Sequence, residues 1–334
     1  VDVLSETLSM LHPRSTLSAG LQGGGEWGLR FPAHEGVKFN AVIRGACWLL
    51  VDGVASPVRL EAGDCFLLTK GRSFVLTTNL NLEPVDSQPA YDRAVDGIAR
   101  CNAGDDFFLI GGRFTFEDSG ILPFTDTLPP VVHVQCNTEQ ASVLRWALLQ
   151  LASELKLGYP GGALMAKNLA HMMFVQILRL FLNGLEQRGV GWLYAVTDSK
   201  LRAVISAIQR LPAHRWTVPE LSSVAGMSRS VFAQRFKEVV GVSPIEYVTR
   251  WRMLIAVERL RNSRQTIATI AFSLGYESES AFSSAFKRVM DCSPKHFQKR
   301  TSTSLGRSSP PRSGVPETNS SAESRHWDER SEIP

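Results

Sequence analysis

The 334-residue sequence predicts a two-domain α+β protein. An antiparallel β barrel with a helical hairpin comes first, and an all-α unit holding two helix-turn-helix motifs follows. Three observations carry this reading. Short apolar runs separated by turn residues fill the stretch from Trp27 to about Phe116. Beyond Pro129-Pro130 the apolar spacing changes to three and four residues, and near the C-terminus one pattern occurs twice, fifty residues apart. With 44% hydrophobic and 20% charged residues the composition is globular, which excludes a wholly disordered chain. The length suits two or three units of about 100–200 residues each.

The β region is read from its turns. Phe39–Ile43 precedes Arg44-Gly45, Cys47–Val51 precedes Asp52-Gly53, Val58–Leu60 precedes Glu61–Asp64, and Cys65–Leu68 precedes Lys70-Gly71. Asp52-Gly53 is a hairpin signal, because a tight primed turn needs φ > 0 and Gly tolerates it. Such spacing predicts a small antiparallel sandwich or barrel over about residues 1–130. Gly23, Gly25 and Gly28 match GxGxxG, but a Pro-containing strand follows instead of a helix, so they read as a turn.

Glu139–Leu157 and Ala163–Gln187 have helical periodicity and flank Gly158-Tyr159-Pro160-Gly161-Gly162, which predicts a helical hairpin over about 138–188. Lys167, Asn168, His171, Gln176 and Arg179 interrupt its most apolar stretch, Ala163–Leu185, so this is a buried or interfacial helix and no membrane partner is expected. Gly189 and Gly191 mark a flexible join, and Asp198-Ser199 is an N-cap for Lys200–Arg210. From Ser302 onward Ser, Pro, Arg and Glu dominate, so the tail 301–334 is expected to be disordered.

The net charge of +4 hides opposed segments. Residues 1–199 hold 15 Lys+Arg against 20 Asp+Glu, 200–300 hold 17 against 7, and 301–334 hold 4 against 5. The basic segment points to a polyanion partner. The cysteines (Cys47, Cys65, Cys101, Cys136, Cys292) form no CxxC, which argues against a disulfide framework or zinc knuckle and suits a reducing cytoplasm. Cys47 and Cys65 lie in apolar runs and read as packing, not as oxidant sensors. His34, His133, His171 and His214 lack ligand spacing, and no GxSxG elbow is present. No catalytic residue, metal site or cofactor is indicated.

The repeat is the informative feature. Phe232-Ala233-Gln234-Arg235-Phe236-Lys237 and Ser243-Pro244 recur as Phe282-Ser283-Ser284-Ala285-Phe286-Lys287 and Ser293-Pro294. Each copy follows an apolar helix pattern ending in Gly226 or Gly275, the arrangement a sharp helix-turn-helix requires. In copy one (about 218–240) Pro219–Ala225 supports, Gly226-Met227 turns and Ser228–Val240 recognises. In copy two (about 266–290) the parts are Ile267–Leu274, Gly275-Tyr276-Glu277 and Ser278–Met290. A connecting helix from Pro244 to about Arg261 spans roughly 27 Å, against about 34 Å between successive major-groove faces of B-DNA.

Phe232/Phe236 and Phe282/Phe286 lie at i, i+4 and are expected in the core. Candidates for base reading are Ser228, Arg229, Ser230, Ala233 and Gln234 in copy one, and Glu279, Ser280, Ser283 and Ser284 in copy two. Arg suits guanine, Gln suits adenine, and Glu accepts from cytosine N4. Copy two reads equally well as a serine-rich face docked on phosphates without readout. Arg235, Lys237, Ser278, Lys287 and Arg288 are the phosphate-contact candidates.

Residues 198–300 resemble the double helix-turn-helix domain of the AraC/XylS family of bacterial transcription regulators. The carrying motifs are Gly226-Met227-Ser228-Arg229-Ser230-x-Phe232 and Gly275-Tyr276-Glu277-Ser278-x-Ser280-x-Phe282. The resemblance implies a sequence-specific regulator on double-stranded promoter DNA in the cytoplasm and nucleoid, contact with RNA polymerase, and usually activation. Trp27-Gly28-Leu29-Arg30-Phe31-Pro32, with Phe39 to Gly45 and Leu60–Asp64, resembles the cupin-like sensor of a subgroup, covering about residues 1–190. Metal cupins use HxH…E and PxGxxH clusters. Here Thr69-Lys70-Gly71-Arg72-Ser73-Phe74 puts Phe74 where a histidine would stand, and no HxH follows Gly36. That disfavours a metalloenzyme and leaves open a barrel pocket for a small-molecule effector. Helical hairpins in this position mediate dimers in related regulators, so a homodimer is expected. The alternative is a cupin-type metalloenzyme with an accessory nucleic-acid-binding domain.

Overall fold

The computed structural model describes residues 2–11, 13–95, 97–116, 128–135, 141–157, 159–184, 191–263 and 265–305. Helix α1 (Val3–Met10) opens the chain, capped by the Asp2 carboxylate, which accepts from the Leu4 N–H. The strands are β1 (Pro13–Gly23), β2 (Gly28–Phe31), β3 (Val37–Arg44), β4 (Ala46–Val51), β5 (Val58–Glu61), β6 (Cys65–Leu68), β7 (Phe74–Thr77), β8 (Val85–Asp86), β9 (Ile98–Cys101), β10 (Phe107–Phe116) and β11 (Val131–Val134), with helix α2 (Gln88–Asp92) between β8 and β9. They form one six-stranded sheet, β11-β6-β3-β10-β1-β9, and one five-stranded sheet, β5-β4-β7-β2-β8.

The expected runs coincide with β3 to β6. Upstream of Trp27, where the sequence suggested no element, lie α1 and β1. Strand β1 is dominated by Ser, Gly and Gln with only Leu17 and Leu21 as large apolar residues and no Val or Ile, so its place is set by long-range pairing with β10, from Pro13 opposite Phe116 to Gly23 opposite Phe107. The glycine motif is indeed a turn, with Gly25 at φ 63 between β1 and β2.

Alternation along β3 separates two cores. Val37, Phe39 and Ala41 face the helices, whereas Val42 joins Phe31, Phe66 and Phe74 between the sheets. Helices α3 (Ser142–Leu157) and α4 (Gly162–Gly184) form the expected hairpin, with α4 across β1 and β11. The expected starts at 138–140 and the end at 185–188 lie outside the described residues.

The join is more ordered than Gly189 and Gly191 suggested. Gly191 opens a short helix α5 (Trp192–Thr197), whose Trp192 is fully buried with Nε1 3.4 Å from the Tyr247 hydroxyl. Then come α6 (Ser199–Arg210), α7 (Val218–Ala225), α8 (Arg229–Val240), α9 (Pro244–Asn262), α10 (Ile267–Ser273), α11 (Glu279–Met290) and α12 (Pro294–Leu305). The expected boundary at Arg300 is corrected: α12 runs on to Leu305, since no Gly or Pro interrupts the chain before Gly306. The rest of the expected tail lies outside the described residues.

The two halves share a core. Helix α1 packs against α6 and α9, burying Val3, Leu4 and Leu8, and Gln209 Nε2 donates to Thr7 Oγ1 at 3.1 Å. Among the described residues, no helix is long and apolar enough to cross a membrane.

Candidate nucleic-acid interface

Each helix-turn-helix is built from its caps inward. Thr217 and Glu220 form a reciprocal capping box at the start of α7, and Gly226 ends that helix at φ 60, the left-handed turn glycine favours. In copy two Thr266 caps α10 and Gly275 turns at φ 80. There a Cβ would lie 2.1 Å from the Ala213 carbonyl oxygen, so close backbone approach demands glycine as well.

The phenylalanines are core, as expected. Phe232 and Phe236 are fully buried with ring centroids 5.6 Å apart, and Phe282 and Phe286 repeat this at 5.7 Å. Phe236 meets Tyr247 edge-on, and Phe286 meets Phe297 in the same way. Helix α9 joins the copies through buried Tyr247, Trp251, Leu254 and Val257. Arg252 fastens them together: its guanidinium donates to the Pro212 and His214 carbonyls at 2.7 and 2.9 Å and lies over the Tyr276 ring.

With the Phe pairs inward, the opposite faces of α8 and α11 are presented to solvent. Ser228, Arg229, Ser230 and Gln234 are exposed and Ala233 is half-buried. Glu279, Ser280 and Ser284 are exposed and Ser283 is half-buried. Lys237, Lys287 and Arg288 are exposed toward the C-terminal ends. Three candidates have intramolecular partners. Gln234 Nε2 donates to Glu238 at 2.8 Å, the Ser278 hydroxyl caps α11 by accepting from the Ala281 N–H, and Arg235 is paired with Asp198, the N-cap of α6. Ser228 holds the N-cap position without a side-chain cap bond. Burial raises the Asp198 carboxyl, but hydrogen bonds from the Leu201 N–H and Arg235 outweigh this and hold it below the ordinary carboxylate value.

Residues not singled out in the sequence also belong here. Val231 is 56% exposed beside Arg229 and Ser230, and Ala281 holds the same place in copy two. An exposed apolar side chain there can meet a thymine methyl; the signal was its position off the Phe face. A groove of about 440 Å³ between α9 and α11 is lined by Glu246, Thr249, Arg250, Arg288 and Val289.

Elsewhere Cys47, Cys101, His133 and His214 have the features of packing and local pairing. Burial pushes the Cys47 thiol up to about 12 and the Cys101 thiol up to about 11, which suppresses thiolate chemistry. His133 lies 3.0 Å from Asp64, and His214 lies 3.4 Å from Glu220. Among the described residues, no three His, Cys, Asp or Glu side chains cluster as metal ligands. Cys136 lies outside the described residues.

A cupin family matches residues 2–183, and a helix-turn-helix domain family matches residues 221–300. An AraC-like transcription regulator of Streptomyces lividans is 45% identical over 299 residues, covering 90% of this chain and 98% of the relative. The RCS-specific HTH-type transcriptional activator RclR of Escherichia coli is 29% identical over 303 residues, covering 90% and 98%. Among solved structures, ToxT of Vibrio cholerae matches at 13% identity with a TM-score of 0.33, covering 86% of this chain and 97% of that one. A cupin domain joined to two linked helix-turn-helix motifs, together with that identity along nearly the whole of a relative, places this chain in the family of AraC-like transcription regulators.

Proposed function

We propose that this regulator reads two adjacent major grooves of promoter DNA with α8 and α11, and that a signal at the cupin-like domain controls it. The observation that carries the reading is the paired exposure of the two recognition faces, held by one connecting helix. Its 19 residues span about 28 Å, close to the roughly 34 Å groove repeat. Arg229, Ser230, Gln234, Glu279, Ser280 and Ser284 are assigned to base edges, with Ser228, Ala233 and Ser283 at their margins. Lys237, Lys287 and Arg288 are assigned to phosphates, while Arg235 braces α8 against α6. The output is activation through RNA polymerase contact in the cytoplasm. A homodimer forms through the hairpin, where Trp146, Leu149 and Leu164 are 54%, 60% and 65% exposed.

A regulator is favoured over a cupin enzyme because the similar full-length proteins carry regulator names and because Phe74 fills a ligand position of the metal-binding pattern. Titration of the full chain against its own upstream DNA and against random duplex at matched salt tests the reading. Specific binding is expected to be at least about a thousandfold tighter; equal affinities would overturn it.

A further inference from the structure

The open end of the barrel carries cations that no carboxylate of the described residues pairs with. Lys38 on β3 and Arg113 on β10 sit directly opposite each other in the antiparallel register. Their side chains therefore share one face, and like charges placed directly opposite destabilise a sheet. Among the described residues no carboxylate pairs with either, and the Lys38 ammonium instead lies 5.3 and 4.9 Å from the ring centroids of Phe31 and Phe74. Those rings are stacked at 4.5 Å. Tyr91 meets Phe31 edge-on and His34 meets Phe74 edge-on, closing an aromatic wall around the ammonium.

Polar atoms there also lack partners. Asn40, two residues along β3 on the same face as Lys38, is 7% exposed, and its Nδ2 has no hydrogen bond. Both His34 ring nitrogens are buried and make no well-formed hydrogen bond, with only the adjoining Glu35 and Gly36 backbone as polar neighbours. An unmatched buried donor costs about 1–3 kcal/mol, so such groups call for an explanation. Burial lowers the Lys38 ammonium below its ordinary value and the nearby Arg113 adds to this; at His34 burial, Lys38 and Arg113 outweigh the favourable Glu35 and Gly36 backbone and lower it too. Cations and unmatched donors thus converge beside Phe74, the position where a metal-binding cupin would hold a ligand to a metal cation.

We infer that Lys38, Arg113, Asn40 and His34 form a binding site for the carboxylate of a small organic acid at the open end of the barrel. The ammonium and guanidinium would flank the carboxylate oxygens, the Asn40 amide would donate from below, and the Phe31, Phe74 and Tyr91 rings would face the organic body. An anion between Lys38 and Arg113 turns their repulsion into two charge-assisted contacts. Arg113 is exposed, which gives the ligand a route in from solvent. The inference rests on the sensor reading of this domain and gives it a ligand class.

The test is calorimetric titration of the full chain with sodium benzoate, sodium acetate, benzamide and sodium phosphate at constant ionic strength. Lys38→Met and Arg113→Gln are compared with the parent, and each protein's affinity for upstream DNA is measured without ligand. Saturable binding of benzoate or acetate is expected, with benzamide inert and at least tenfold weaker binding in both variants, while their DNA affinity is retained. Failure of both carboxylates, equal binding of benzamide, unchanged affinity in the folded variants, or binding of phosphate alone overturns the assignment. Because DNA affinity is read separately, loss of the acid site and failure of the DNA-binding reading are distinguishable.

Discussion

Copies one and two of the helix-turn-helix share one scaffold and carry opposite charge patterns. Ser228–Pro244 aligns with Ser278–Pro294 without a gap, so each position has its counterpart. The buried pairs are identical, Phe232/Phe236 and Phe282/Phe286. The first helical residue is Arg229 in one copy and Glu279 in the other, and nine residues further into each copy Glu238 is replaced by Arg288. Copy one leads with a cation and a long amide, Gln234; copy two leads with an acid and short serines and gathers its cations, Lys287 and Arg288, at the end. The bracing differs too: Arg235 ties α8 to Asp198, whereas its counterpart Ala285 leaves α11 to be held by Phe297 and the turn around Gly275. Packing is what repetition preserves, while the solvent face is free to divide the work: copy one offers long side chains, Arg229 and Gln234, to base edges, and copy two offers short polar groups to base edges and its end cations, Lys287 and Arg288, to phosphates.

The scaffold half of this comparison is exposed to the largest effects. Phe236→Ala and Phe286→Ala should each cost about 3–5 kcal/mol, measured as a shift in urea unfolding followed by Trp fluorescence. Costs differing by more than a factor of two would break the equivalence of the two cores. The turns should not be equivalent. Gly226→Ala meets no atom within 4 Å and should cost only the left-handed penalty, about 1–2 kcal/mol. Gly275→Ala drives a Cβ into the Ala213 carbonyl and should cost about 1–3 kcal/mol more. The same unfolding experiment ranks the two, and a reversed order would place the tighter turn in the wrong copy.

Much of this was legible in the sequence because repetition and period survive without knowledge of the fold. The Phe spacing, the glycine turns and the Ser-Pro marks sit within a few residues of one another, and local structure decides them. Strand β1 was not legible, since its serines and glycines are placed by β10, about a hundred residues away in sequence. The Arg235–Asp198 pair and the α1 contact with α6 were hidden for the same reason: side chains distant in sequence meet only through the tertiary fold. The exposed faces of α8 and α11 could be listed from the helical wheel, but which of their polar groups already had partners could not.

The division of labour predicts unequal responses to single alanines. Arg229→Ala should reduce discrimination between cognate and scrambled duplexes by about 1–3 kcal/mol, the range of a good bidentate base contact. Lys287→Ala should instead weaken all duplexes alike and make the slope of log K against log salt shallower by about 0.9. Fluorescence anisotropy over a salt series separates them. A Lys287→Ala variant that loses preference for the cognate site while keeping its salt slope would move Lys287 from the phosphates to the base edges.

The smallest effect probes the C-terminal ends of the recognition helices. Gly241 closes α8 at φ 89, and its counterpart Asp291 closes α11 at φ 56, a left-handed conformation in a residue with a Cβ. Asp291→Gly relieves a strain of about 1–2 kcal/mol but adds backbone freedom to the unfolded chain worth about 0.5–1 kcal/mol. Removing an acid at a helix C-terminus, where the dipole is negative, adds about 0.3–1 kcal/mol in the same direction. The net expectation is a gain of about 1–1.5 kcal/mol, seen as a higher urea midpoint with unchanged slope. Gly241→Asp should lose a comparable amount in copy one, because there the same exchange runs backwards. If Asp291→Gly destabilises instead, the Asp291 side chain holds its own turn, and the two copies differ in how they end as well as in what they present.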